Sequence, residues 1–359
     1  MLNNPKHRDN AFDLIRFLAA LAVLFSHNFA TSGRSEPIYF GGETAGSIGV
    51  FVFFSVSGYL VQQSWNRKSD PLTFALARML RIFPGLLVCL VVCAFVIGPF
   101  ISMLPITTYV SQPDVYQFIY SNLAMFFIPR YDALPGVFVE NVFPKHVNSS
   151  LWTIRFEVFM YVLLLSASYF FRNRQKLFMA GLLMVLCALW AYGKQIGLEN
   201  PGQLLWRLDV IGLDGRILKL APFFLIGSLI AQAPNHFLSV RWAALLFIFT
   251  AFFYYSSNGI VVLWFTLPYC LLVFAHNAPD LLNRFGRHGD FSYGLYLYAF
   301  PVQQLMAYYG LSTSNWLLGF TMTFFIALTL SILSWKFVES PSLGLRTRLK
   351  NSRTSGSPI

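Results

Sequence analysis

The sequence predicts an all-α, polytopic membrane bundle of about ten transmembrane helices, and three observations carry that expectation. Only 11% of the 359 residues are charged while 56% are hydrophobic, against roughly 25% charged in an average soluble domain. The apolar residues, with a mean hydropathy of +0.57, fall in uncharged blocks that reach the roughly 20 residues needed to cross hydrocarbon. The basic residues divide unevenly between alternate connections, as Lys and Arg do when they mark short cytoplasmic loops. The formal charge of +11 is therefore read as topology, and nucleic acid is excluded as a partner. Disorder and a disulfide scaffold are excluded as well. The four cysteines, Cys89, Cys93, Cys187 and Cys270, lie inside apolar segments and read as inert buried residues.

Taken in order, residues 17–33 form the first span, extended back to Phe12 when Asp13 and Arg16 are tolerated. Residues 44–66 and 82–113 hold one span each. Residues 115–129 are uncharged but short and bracketed by Pro113 and Pro129, which reads as a re-entrant or interfacial piece. Residues 158–171 become long enough only when 151–157 are added, bringing Arg155 and Glu157 into the membrane. Residues 177–193 and 220–240 give one span each. The stretch 242–279 is too long for one helix, and Ser256-Ser257-Asn258-Gly259 turns it into a hairpin. Residues 291–335 divide similarly at 310–315, for ten spans in all. That count puts both termini on one side with seventeen Lys and Arg, seven opposite, and Arg16 and Arg155 in the membrane. Both termini are thus expected in the cytoplasm. Residues 1–340 read as a single transmembrane domain and 341–359 as a disordered basic tail.

Ionisable residues inside spans are costly and by default functional. Asp13, Arg16 and His27 return to nearly one face of the first helix, with His27 about 16 Å beyond Arg16. An ion pair to Arg16 is the simpler role for Asp13. His27 near the outer end is a general-base candidate, because an imidazole titrates near neutrality. Glu157 sits near the outer start of its span, in register with His27, and is placed to orient it or relay its proton. Arg78 and Arg81 share a helix face entering the membrane. They form either a positive-inside anchor or a guanidinium fork for phosphates. Around Phe53, Phe54, Ser57 and Gly58, close helix packing through the small residues is the default reading. No metal-ligand spacing occurs.

With these residues in hand, the chain resembles the integral-membrane acyltransferase family 3 from Phe12 to Pro341. Asp13-x-x-Arg16 followed by ten residues and His27 resembles its opening signature, Phe53-Phe54-x-x-Ser57-Gly58 its second, and Arg78-x-x-Arg81 its third. The stretch from Ser150-Leu151-Trp152 through Glu157 to Tyr161, the Tyr298-containing stretch 292–301 and Trp335-x-x-Val338-Glu339-x-Pro341 are similar to further family segments. Where many relatives carry His, this chain has Ala299, so that imidazole is not needed here.

The resemblance implies O-acyl transfer, most often of acetyl from acetyl-CoA or another acyl-CoA, to a hydroxyl of a lipopolysaccharide, exopolysaccharide or lipid-linked saccharide. Coenzyme A phosphates would dock on Arg78 and Arg81, with Arg16 and Ser57 near the thioester. The competing class is a transporter or proton-coupled permease using the same intramembrane charges. Missing repeat symmetry and the ordered signatures stand against it.

Overall fold

A computed structural model describes residues 11–205, 214–234, 237–256 and 258–345. Among them, helices are joined by turns and irregular loops, and the only β-pairing is an isolated bridge between Ile38 and Thr44. The helices of ten or more residues are α1 (Phe12–Ser32), α2 (Ala45–Arg67), α3 (Pro71–Ile101), α4 (Pro113–Ala124), α5 (Trp152–Phe170), α6 (Gln175–Gln195), α7 (Ile217–Ile230), α8 (Val240–Phe252), α9 (Gly259–Asn277), α10 (Ser292–Tyr308) and α11 (Trp316–Leu345).

A helical membrane bundle is the result, with one revision to the span count. Each of the ten expected spans forms a helix, but only α1, α2, α3, α5, α6, α9 and α11 are long and apolar enough for a full crossing. α7 and α8, with 14 and 13 residues, reach only about 20 Å at 1.5 Å per residue, short of a core of about 30 Å. α10, with 17 residues, reaches about 26 Å. Its buried Gln303 and Gln304 lower its apolarity, which a helix enclosed by protein tolerates. α4, over the stretch expected to be re-entrant or interfacial, has 12 residues. Residues 341–345 continue α11 rather than starting the expected disordered tail; residues 346–359 lie outside the described residues. Of the four cysteines, Cys89 and Cys93 are buried, while Cys187 and Cys270 are only half-buried.

The helices gather into two compact units. The first holds α1 up to Ser26, α2, α5 from Thr153, and α6 to α9. Its seam is α2 against α7. A β-carbon on Gly58 would lie 2.0 Å from the Phe224 carbonyl oxygen, and one on Gly227 2.3 Å from that of Ser55. Small residues permit this approach, the usual basis of helix contact in lipid. Phe51 stacks on Phe223 with centroids 4.4 Å apart. Buried Gln62 accepts from Gln175 at 2.8 Å and Ser228 at 3.0 Å, tying α2, α6 and α7 together where unpaired amides would be costly.

The second unit holds α1 from His27, then α3, α4, α10 and α11. Asp70 caps α3 by accepting from the Thr73 amide at 2.8 Å, and Pro71 opens it. Two helices carry π-turns, Cys93–Ile97 in α3 and Trp335–Glu339 in α11. The first aims the Ala94 carbonyl at the Tyr109 hydroxyl, 2.8 Å away. Pro84, Pro222, Pro268 and Pro301 sit inside helices, tolerated where neighbours re-satisfy the freed carbonyls.

Candidate active site

In the first unit, Arg16 is held from two sides. It forms an ion pair with Asp13, one turn away, and its Nη2 lies 3.1 Å from Asp290 Oδ2. The expected Asp13–Arg16 pair is therefore present, with a second, buried carboxylate beside it. Asp290 immediately precedes the uncharged stretch 291–335, so a search for charges inside spans passes it by.

A second cluster in the same unit joins α2 and α5. Ser57 Oγ lies 3.2 Å from Glu157 Oε1 and 3.0 Å from the Tyr161 hydroxyl. Tyr161, one helical turn beyond Glu157, donates to the same Oε1 atom. A shared oxygen makes the three groups one unit, so protonation of Glu157 would change the bonding of both hydroxyls. Nearby on α2, Phe53 is half-buried and Phe54 buried. Arg155, also buried, lies on another face of α5.

Also in this unit, His276 Nδ1 is 2.8 Å from the Leu272 carbonyl, which assigns the proton to Nδ1. Nε2 then accepts from the Tyr59 hydroxyl at 3.0 Å, which accepts from Gln63 at 2.8 Å. The only sequence signal for this relay is a histidine near the end of an apolar block.

In the second unit, His27 stands edge-on to Phe300, with centroids 5.1 Å apart and planes at 88°. Its Nδ1 is buried and has no hydrogen-bond partner among the described residues.

Arg78 and Arg81 lie one turn apart on α3. The Arg81 guanidinium is 5.6 Å from the centre of the Tyr293 ring, and its Nη1 is 3.6 Å from Glu339 Oε2. Glu339 is buried and accepts from Ser334 at 2.9 Å, while Tyr293 donates to the Ile82 carbonyl at 2.8 Å. Arg81 is thereby fixed by a carboxylate and an aromatic face. Trp152 begins α5, after a turn in which Asn148 accepts from the Ser150 amide at 3.1 Å and donates to the Leu297 carbonyl at 2.8 Å. Tyr298 and Ala299 are buried in α10. The predicted residues thus gather as Asp13, Arg16, Ser57 and Glu157 in the first unit, and His27, Arg78, Arg81, Trp152 and Tyr298 in the second.

The acyltransferase domain family matches residues 9–336, nearly the whole chain. The chain belongs to acyltransferase family 3. This membrane acyltransferase is 31% identical over 360 residues to an O-acetyl transferase of Shigella phage Sf6, covering 94% of this chain and 99% of that one. It is 28% identical over 374 residues to nodulation protein 10 of Rhizobium leguminosarum bv. viciae, covering 97% of each. No solved structure matches it significantly.

Proposed function

We propose that this acyltransferase moves an acetyl group from cytoplasmic acetyl-CoA to a hydroxyl of a cell-envelope glycan, such as lipopolysaccharide O-antigen or an exopolysaccharide. It acts in the bacterial inner membrane with both termini in the cytoplasm. The observation that carries this reading is His27, a membrane-buried imidazole with one ring nitrogen unpartnered, in a chain of acyltransferase family. The phage relative, named an O-acetyl transferase, supports acetyl as the group and oxygen as the acceptor. The seventeen-to-seven division of basic residues supports the orientation.

In the proposed step, His27 takes the acceptor proton, the hydroxyl oxygen attacks the thioester carbonyl, and the C–S bond breaks. Coenzyme A leaves as thiolate and recovers a proton. Arg78 and Arg81 bind the donor's phosphates, an assignment supported by the firm placement of Arg81 between Glu339 and Tyr293. Arg16, oriented by Asp13 and Asp290, opposes negative charge developing on the thioester oxygen. Glu157, with Ser57 and Tyr161, provides a proton-exchanging group.

The test is His27→Ala in purified full-length protein, supplied with labelled acetyl-CoA and alkali-de-O-acetylated surface polysaccharide. Transfer should fall about a hundredfold to ten-thousandfold, with donor affinity and melting temperature retained. Transfer at the wild-type rate would refute the assignment of the base.

A further inference from the structure

Residues 125–148 of the second unit, between α4 and the turn before α5, contain no helix or strand, yet they are pinned throughout. Asn122 donates to the Tyr131 carbonyl at 2.8 Å, Ser102 to that of Pro135 at 2.7 Å, and Gln304 to that of Phe143 at 2.7 Å. Within the segment, the Val147 amide donates to the Asp132 carbonyl at 3.0 Å and the Lys145 amide to that of Phe138 at 3.2 Å. Irregular segments this long are uncommon, and ordered ones usually serve binding.

A second, independent sign is strain. The non-glycine residues with positive φ among those described are Met125 (51°), Phe138 (53°) and Lys145 (62°), all in this segment. For a residue as bulky as Phe138 that is an outlier, and such conformations persist where function demands them and the surroundings enforce them.

The segment covers the end of its unit that carries His27. Gly33, at φ +74°, would put a β-carbon 3.1 Å from Val142. Phe143 lies 5.9 Å from Phe300, the ring that flanks His27, and 4.9 Å from the His146 imidazole. His146 Nδ1 is 3.6 Å from Asp132 Oδ2, and Asp132 is also paired with Arg130. An aromatic wall therefore runs from His27 to a carboxylate, a guanidinium and an imidazole whose side chains keep 15%, 22% and 42% of their exposure. Planar acceptors and donors of this kind match neighbouring hydroxyls, each of which donates and accepts. The ring wall suits the C–H face of a pyranose. With Arg130 and Asp132 cancelling in charge, the set favours a neutral saccharide.

We propose that Arg130, Asp132, Phe143 and His146 form the acceptor site, gripping the sugar unit next to the one acetylated and delivering that unit's hydroxyl to His27. The proposal rests on the glycan reading above, and the experiment separates the two. Full-length enzyme is assayed with acetyl-CoA and alkali-de-O-acetylated surface polysaccharide, measuring KM for each substrate and the slow hydrolysis of acetyl-CoA without acceptor. Phe143→Ala, His146→Ala and Asp132→Asn should each raise the acceptor KM about tenfold, the loss of roughly one charge-assisted bond or packed ring. The acetyl-CoA KM and the hydrolysis rate should not change, and His146→Gln should recover much of the loss. Glu140→Gln, exposed on the same segment, should behave as wild type. An unchanged acceptor KM in all three variants, or a parallel loss of donor KM and hydrolysis, overturns the site. If the alanine variants fail to insert, the nearly isosteric Asp132→Asn decides between these outcomes alone. Wild-type enzyme that turns over acetyl-CoA but leaves the polysaccharide unlabelled overturns the glycan reading instead.

Discussion

Arg81 shows how one side chain can be made specific by its neighbours. A lone arginine at a membrane entrance is an anchor that can swing through solvent, but Arg81 faces buried Glu339 at 3.6 Å and lies over Tyr293 at 5.6 Å. If Arg78 and Arg81 bind the donor's phosphates, each alanine substitution removes charge-assisted bonds of about 1.5–3 kcal/mol. Acetyl-CoA affinity measured by calorimetry should then fall roughly tenfold to a hundredfold. Glu339 acts through Arg81, so Glu339→Gln should weaken donor binding by a smaller factor in the wild-type background. It should have almost no effect once Arg81 is alanine, the non-additivity expected of groups in contact. Equal losses in both backgrounds would mean that Glu339 serves α11 alone. Unchanged affinity in Arg78→Ala and Arg81→Ala would return the pair to the anchor role.

At the scale of elements, the seam between α2 and α7 depends on hydrogen atoms where other residues have side chains. Gly58→Val would drive a methyl-bearing carbon into the Phe224 carbonyl, with only 2.0 Å available, and neither backbone can yield without parting the helices. Overpacking of this kind costs about 1–3 kcal/mol or more, and Ser57, the adjacent residue, would lose its alignment with Glu157. Thermal unfolding of the purified variant should show a fall of several degrees, accompanied by lost transfer. Gly181→Ala, at a position with nothing within 4 Å of the new carbon, should leave both unchanged. The seam also shows what is legible in the sequence. The small residues of Ser57-Gly58 signal close packing, and uncharged blocks signal the helices, because both are local properties of the chain. The partners are not legible: Gln175 and Ser228 on Gln62, Asp290 on Arg16, and Glu339 on Arg81 are contacts between residues far apart in sequence. The irregular segment 125–148 lacks any periodic pattern to read, so its order emerges only with the hydrogen bonds that hold it.

At the scale of the whole molecule, the short helices decide the topology. Crossings by only the seven helices that are long and apolar enough among the described residues would leave the termini on opposite membrane faces, so a C-terminus on the cytoplasmic side with the N-terminus requires an odd number of α7, α8 and α10 to cross as well. α10 is suited to do so, since burial of Gln303 and Gln304 removes the need for an apolar surface. α7 and α8 are a different case. Most of α7 is buried, whereas none of α8 is, and each is about 10 Å short of the core thickness. If both cross by local thinning of the bilayer, Gln232 after α7 faces the cytoplasm and Asn258 after α8 faces outward. Single cysteines can check this in a background with the four natural ones replaced. A membrane-impermeant maleimide added to intact spheroplasts should label Asn258→Cys and leave Gln232→Cys unlabelled until the membrane is opened. A C-terminal reporter should register the cytoplasm in the same cells. Asn258→Cys labelled in intact spheroplasts, with Gln232→Cys unlabelled even after the membrane is opened and a cytoplasmic C-terminus, would mean that α7 and α8 dip into the outer leaflet and return while α10 alone restores the parity.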